Sequence, residues 1–261
     1  MAYNVKKIDY ADGSSEVRIY SNAMDLPREK KKKNTDICIE RSEQEIIRSR
    51  QNSIKRSKDR VDFVGRTNKW RFFTTLTFDN RYFDGTYESA SFLIQQWLDC
   101  MRHRYPGMKY LIVLEMGSKN NRWHAHALIA DCDLRMHDSG RKTENHQPIY
   151  NLDLEEYSYG FTTVTYVRSS AAAGRYISKY IGKALGDVPE GKKRYWTSHN
   201  LVSDREVVTK YLFDHYDLEI LKKQLEETCD RSSEIFVEVI DTIVTYFHFY
   251  ASGGSPAGCP T

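Results

Sequence analysis

The chain lacks the marks of a secreted, membrane-bound or disulfide-stapled protein. Its five cysteines, Cys38, Cys100, Cys132, Cys229 and Cys259, stand far apart. They form no CxxC pair, and their odd number argues against a disulfide framework or a zinc finger. A reduced cytosolic protein is the expectation. No apolar run is long enough to cross a bilayer, and the opening Met-Ala-Tyr-Asn-Val-Lys-Lys holds no signal-peptide core. Membrane partners are therefore not expected. A Gly-x-x-x-x-Gly-Lys-Ser/Thr phosphate loop is missing as well, so nothing points to an ATP-driven domain. No internal repeat explains the architecture.

What is present is a long enough chain for one substantial core, 261 residues with 40% apolar and 29% charged side chains. Eighteen tyrosines, eleven phenylalanines and four tryptophans make a high aromatic load, available for packing or for stacking on bases. The net charge of +3 is too small to identify a nucleic-acid binder. Its distribution says more. Residues 28–71 hold fifteen Lys/Arg against seven Asp/Glu, residues 168–195 seven against two, and residues 214–241 three against nine. The two basic segments, including Lys30-Lys31-Lys32-Lys33, could form a path for phosphates or simply a solvated surface.

Three segments emerge: a basic N-terminal extension (1–66), a central domain (67–200), and a C-terminal accessory segment ending in a flexible Ser-Gly-Gly-Ser-Pro-Ala-Gly tail (201–261). Residues 41–60 suit a basic helix, with Ile46, Ile47 and Ile54 at loose helical spacing. The pattern changes at Trp70. Residues 70–78 read as a strand, 88–102 as an amphipathic helix, and 110–116 and 123–130 as two further strands. Residues 131–160 read as an inserted loop or short hairpin, 161–167 as another strand, and the stretch after Ser169-Ser170 as a capped helix weakened by Gly174. The order predicts an α+β fold with helices packed on a sheet.

Two motifs carry chemistry. His124 and His126 are two apart, so on a strand both imidazoles face one side and can converge on a cation. Glu115, near the end of the preceding strand, is the best third ligand, and Asp79 is a weaker alternative. Two nitrogens and an oxygen suit a divalent ion, Mg²⁺ or Mn²⁺, with open positions for phosphate oxygen and water. The remaining histidines, His103, His137, His146, His199, His215 and His248, show no comparable spacing. In the second motif Tyr176, Lys179, Tyr180 and Lys183 share one helix face. A phenolate can attack phosphorus, and nearby ammonium groups favour the anion and neutralise the phosphate. Tyr176 is the first choice of nucleophile, with Tyr180 a second nucleophile or a substrate-orienting group. Thr75 and Thr77 share a strand face and could line the site or bind backbone phosphate. Arg122, Arg175, Lys192, Lys193 and Arg194 are candidate DNA contacts that would position the backbone.

These motifs resemble those of rolling-circle replication initiators of the HUH endonuclease superfamily, of bacteriophage and plasmid type. The counterparts are Phe73-Thr-Thr-Leu-Thr-Phe78, His124-Ala125-His126, where Ala125 replaces an often bulkier residue, and Tyr176-Ile-Ser-Lys179-Tyr180-Ile-Gly-Lys183. The likeness covers about residues 70–196. It implies a central antiparallel sheet flanked by helices, with His124, His126 and Glu115 on a divalent metal. It also implies nicking of single-stranded DNA at a replication origin, in the cytoplasm of a bacterial host. Tyr176 would form a 5′-phosphotyrosyl link and free a 3′-hydroxyl for host polymerase, and Tyr180 would take part in the later strand transfer. Lys179, and less firmly Lys183, would stabilise phenolate or phosphate. Unwinding would fall to a host helicase or to DNA already single-stranded. A relaxase, a single-stranded DNA transposase and a noncatalytic nucleic-acid-binding protein remain the alternatives.

Overall fold

The computed structural model describes residues 2–24, 42–117, 122–183 and 188–251. In chain order it opens with β1 (Tyr3–Asp9), β2 (Ser15–Met24), α1 (Glu43–Thr67), β3 (Phe72–Phe78) and α2 (Tyr87–Arg104). There follow β4 (Lys109–Gly117), β5 (Arg122–Ala130), β6 (Met136–Lys142), β7 (Pro148–Leu152), β8 (Gly160–Tyr166), α3 (Ser170–Lys183) and β9 (Tyr195–Thr197). The last elements are α4 (Asp204–Val207), β10 (Val208–Tyr211), α5 (His215–Thr228), β11 (Arg231–Val237) and β12 (Thr242–Phe249). Among the described residues no helix is long and apolar enough to cross a membrane. The lysine run 30–33 and the Gly/Ser-rich tail lie outside the described residues.

Arg41–Leu201 forms one compact unit, and Met1–Glu40 with Val202–Thr261 forms another. The larger unit is built on a seven-stranded sheet of order β6-β7-β8-β3-β5-β4-β9, with every pair antiparallel. Alternation decides its two faces. Phe72, Leu76 and Phe78 of β3, Ile112 and Leu114 of β4, and Trp123, Ala125 and Ala127 of β5 point toward α2, where they meet Leu93, Ile94, Trp97 and Leu98. The Trp97 indole donates to the Glu156 carbonyl at 2.9 Å, so its N–H is satisfied inside that core. On the other face Leu111, Val113, Leu128 and Ala130 are covered by Val61 and Val64 of α1 and by Ile177, Tyr180 and Ile181 of α3.

The sequence places a boundary at residue 66, yet α1 lies within the larger unit. Ser42 caps it through a reciprocal box with Glu45. Its buried positions, Ile54, Val61, Val64 and Gly65, cluster in the second half of a helix that is otherwise polar. Gly174 also reads differently in place. A Cβ built on Gly174 would lie 2.5 Å from the Gly65 carbonyl carbon, and one on Gly65 would lie 2.5 Å from the Gly174 Cα. The two glycines let the backbones of α1 and α3 touch. In a free-standing helix Gly→Ala gains about 1 kcal/mol. Gly174→Ala is instead expected to destabilise by about 1–3 kcal/mol or more, because neither backbone can yield cheaply. Urea denaturation checks this; a stabilised variant would contradict the close crossing.

The smaller unit is a five-stranded antiparallel sheet of order β10-β1-β2-β12-β11. Val5, Val17, Ile19 and Phe247 on one face pack against Leu218 of α5. The Asn4 side chain donates to the Phe213 carbonyl at 2.8 Å and accepts from its N–H at 2.9 Å, tying together the two ends of the chain. The single-sheet expectation is thus corrected to an α+β fold with two antiparallel sheets. The N-terminal and C-terminal segments, expected as separate extensions, pair with each other because β1 and β2 find strand partners only in β10 and β12.

Candidate active site

Register sets the site. Across the middle of the larger sheet, Phe161 of β8 pairs with Thr77 of β3, Thr77 with His124 of β5, and His124 with Glu115 of β4. The adjoining row on the same face runs Thr163, Thr75, His126, Val113. A period-two strand therefore delivers both imidazoles and the carboxylate to one face, the face covered in part by α3.

Each imidazole is held by a threonine hydroxyl. Thr75 Oγ1 hydrogen-bonds His126 Nδ1 at 3.1 Å, and Thr77 Oγ1 hydrogen-bonds His124 Nδ1 at 3.2 Å. The threonines thus stand on the histidines, a role that their reading as phosphate contacts missed. A hydroxyl both donates and accepts. Nδ1–H can donate to it while Nε2 offers a lone pair to a cation, the usual way an outer group orients a metal-binding histidine. Gly117 completes the arrangement, since a Cβ there would lie 3.1 Å from His124 Nε2. Burial, reinforced by His126, pushes the His124 imidazole below its usual range and keeps it neutral.

Glu115 Oε2 lies 2.8 Å from His126 Nε2, and both groups are buried. Two donors about 2.1 Å from an octahedral cation stand about 3.0 Å apart when cis, so this pair has ligand spacing. Without a cation, a proton must lie between them. Among the described residues no group of three or more His, Cys, Asp or Glu side chains already has the geometry of a metal site. The donor types fit a divalent ion, while the full set is not drawn together. Asp79, the alternative ligand, is engaged by Arg81 at 3.0 Å, and that contact holds its carboxyl below the usual range.

The tyrosine helix lies over this face. Ser169 caps α3 by accepting from the Ala172 N–H at 3.2 Å. The Tyr180 ring stacks on His126, centroids 3.7 Å apart and planes 13° from parallel. Tyr176 stands edge-on to Tyr180 at 5.2 Å and to Phe73 at 5.4 Å. Phe73 also stacks on His126 at 6.0 Å. It shares its strand parity with Thr75 and Thr77, a signal that could have marked it in the sequence. The phenols are unequal: Tyr176 is 46% exposed and Tyr180 only 8%. Burial, then the hydrogen-bonded Tyr176 and the Glu115 carboxylate, push the Tyr180 phenol well up.

The cations divide. Lys179 and Arg175 are exposed on α3, while the Lys183 side chain lies outside the described residues. Arg122 donates to the Phe78 carbonyl at 2.8 Å and to Asn80 Oδ1 at 2.7 Å, beside a hollow lined by Asn80, Phe83, Asp84 and Gly85. Lys192 pairs with Glu88 of α2 at 3.5 Å, and Lys193 lies over the Trp196 ring. Those two belong to the α2 side of the sheet, opposite the histidines. Arg194 reaches Ser53 of α1 at 3.2 Å.

If the threonines orient metal ligands, Thr75→Val and Thr77→Val are expected to weaken Mn²⁺ binding about 10- to 100-fold with the fold intact. Calorimetric titration measures this, and unchanged affinity would remove the orienting role.

Paired imidazoles on a sheet, with two tyrosines stacked above them, define a candidate site for tyrosine-dependent phosphoryl chemistry. Residues 71–185 match the model of a family of replication-associated proteins of the ORF2 type, in line with a HUH-type Rep protein. No curated protein and no solved structure gives a significant match.

Proposed function

We propose that this protein nicks single-stranded DNA at a replication origin through a tyrosine nucleophile and transfers the strand, initiating rolling-circle replication. The observation that carries the reading is the stacking of Tyr180 on His126 with Tyr176 beside it, which brings both motifs to one place. A divalent ion, Mg²⁺ or Mn²⁺, would be held by His124, His126 and Glu115 and would polarise the scissile phosphate.

Tyr176 is the accessible phenol and serves as the first nucleophile. Its oxygen loses a proton to solvent and bonds to phosphorus as the P–O3′ bond breaks. The products are a 5′-phosphotyrosyl link and a DNA 3′-hydroxyl, which takes up a proton and is available to host polymerase. Tyr180, held neutral and stacked, orients the site in this step and attacks in the later transfer. Exposed Lys179 and Arg175 neutralise phosphate, and Arg122 holds the backbone at the far end of β5. Lys183 is assigned a similar but weaker part. Lys192, Lys193 and Arg194 would contact DNA away from the cleavage point. The protein would work in a bacterial cytoplasm and rely on a host helicase or on DNA already unpaired.

The test is a denaturing gel of labelled single-stranded origin candidates incubated with the protein and divalent metal. A DNA-linked band that survives denaturation and requires metal supports the proposal. Binding without such a band would assign the protein to noncatalytic nucleic-acid binding.

A further inference from the structure

Phe161 is 76% exposed in the middle of an antiparallel sheet, where an aromatic ring ordinarily finds cover. It belongs to the same cross-strand row as Thr77, His124 and Glu115. Two strand spacings separate it from His124, about 10 Å. Among the described residues no aromatic ring packs on it. Its neighbours on that face, Thr163, Thr75 and Thr77, are small, uncharged and hydroxylated. The cations Arg175, Lys179 and Arg122 border the same site.

We infer that Phe161 is a stacking platform for one unpaired base of the strand whose phosphate reaches the histidine–tyrosine site. The inference rests on the nucleic-acid reading above and adds a positioning residue to it. A flat apolar ring accepts the face of any base. The flanking hydroxyls suit the sugar-phosphate, and the absence of acidic side chains among these face positions spares the strand repulsion. Continuity with the candidate site favours nucleic acid over a protein partner, because a protein seated on Phe161 would close the approach to His124. Holding the base one or two nucleotides from the reacting phosphate fixes the strand's register against the tyrosines.

The experiment uses the full chain without divalent metal and a fluorescent single strand of about 20 nucleotides, longer than a typical binding site. A strand of equal length made only of abasic sugar-phosphates is the control. Stacking of one base contributes about 1–3 kcal/mol, so Phe161→Ala should weaken binding of the base-bearing strand about 5- to 150-fold. It should leave the abasic strand unaffected, and Phe161→Trp should restore binding. Equal affinity of Phe161→Ala and wild type for the base-bearing strand would overturn the inference, as would an equal loss on both strands. Formation of the phosphotyrosyl adduct is scored separately. An adduct with no effect of Phe161→Ala sinks the platform alone, whereas a base-selective loss without any adduct sinks the nuclease reading alone.

Discussion

Tyr176→Phe is expected to abolish the covalent protein–DNA adduct and to slow cleavage by at least about 10³-fold, because loss of a nucleophile removes the reaction path itself. Tyr180→Phe should keep the first cut and lose strand transfer. The asymmetry has a physical origin. Tyr180 is buried, lies flat against His126 and neighbours the Glu115 carboxylate, all of which oppose its ionisation. Tyr176 stands half in solvent with Lys179 one turn away. Both substitutions keep the ring, so the stack on His126 and the edge contact with Phe73 survive. A loss of activity then reports on the hydroxyl. Single-turnover cleavage of end-labelled DNA separates the two steps. A Tyr176→Phe protein that still cuts at wild-type rate would reverse the assignments.

His126→Ala is expected to have the second largest effect. It removes the Nε2 contact with Glu115, the Thr75 hydrogen bond and the surface on which Tyr180 rests. Loss of a ligand should weaken Mn²⁺ binding by more than the roughly 10- to 100-fold seen for outer-shell partners, and cleavage should fall with it. Removal also takes one partner from a buried carboxylate, at about 1–3 kcal/mol of stability. His124→Ala, which spares the Glu115 contact, separates the two consequences: metal affinity should fall with a smaller change in unfolding midpoint. Calorimetry with Mn²⁺ on wild type, both variants and Tyr176→Phe decides the matter. Tyr176→Phe should bind metal as wild type does. Equal metal affinity in all four proteins would remove the histidines from the metal site.

The central strands were legible because their patterns are local. Alternation in 70–78 and 123–130 gave the strands, their faces and the shared side of His124 and His126. Spacing alone put Tyr176 and Tyr180 on one helix face. What could not be read depends on distant partners. Gly174 reads as a flaw in a helix until Gly65 is brought against it. The polar α1 reads as an extension because only a few buried positions, Ile54, Val61 and Val64 among them, record its place in the core. Thr75 and Thr77 read as generic strand residues until register sets them opposite His126 and His124. Pairing of β1 with β10, some two hundred residues away, leaves no local trace. Lys192 and Lys193 were grouped with the phosphate path by charge alone, which carries no information about sheet face.

Trypsin offers the most direct test. Cleavage after Arg175, Lys179 and Lys183 places the two tyrosines in separate tetrapeptides, Tyr176-Ile-Ser-Lys179 and Tyr180-Ile-Gly-Lys183. After reaction with single-stranded origin DNA and Mn²⁺, then nuclease trimming, mass spectrometry should find the residual nucleotide on the Tyr176 peptide. Nucleotide on neither peptide, from protein shown to be folded and metal-loaded, would contradict a tyrosine-linked mechanism altogether.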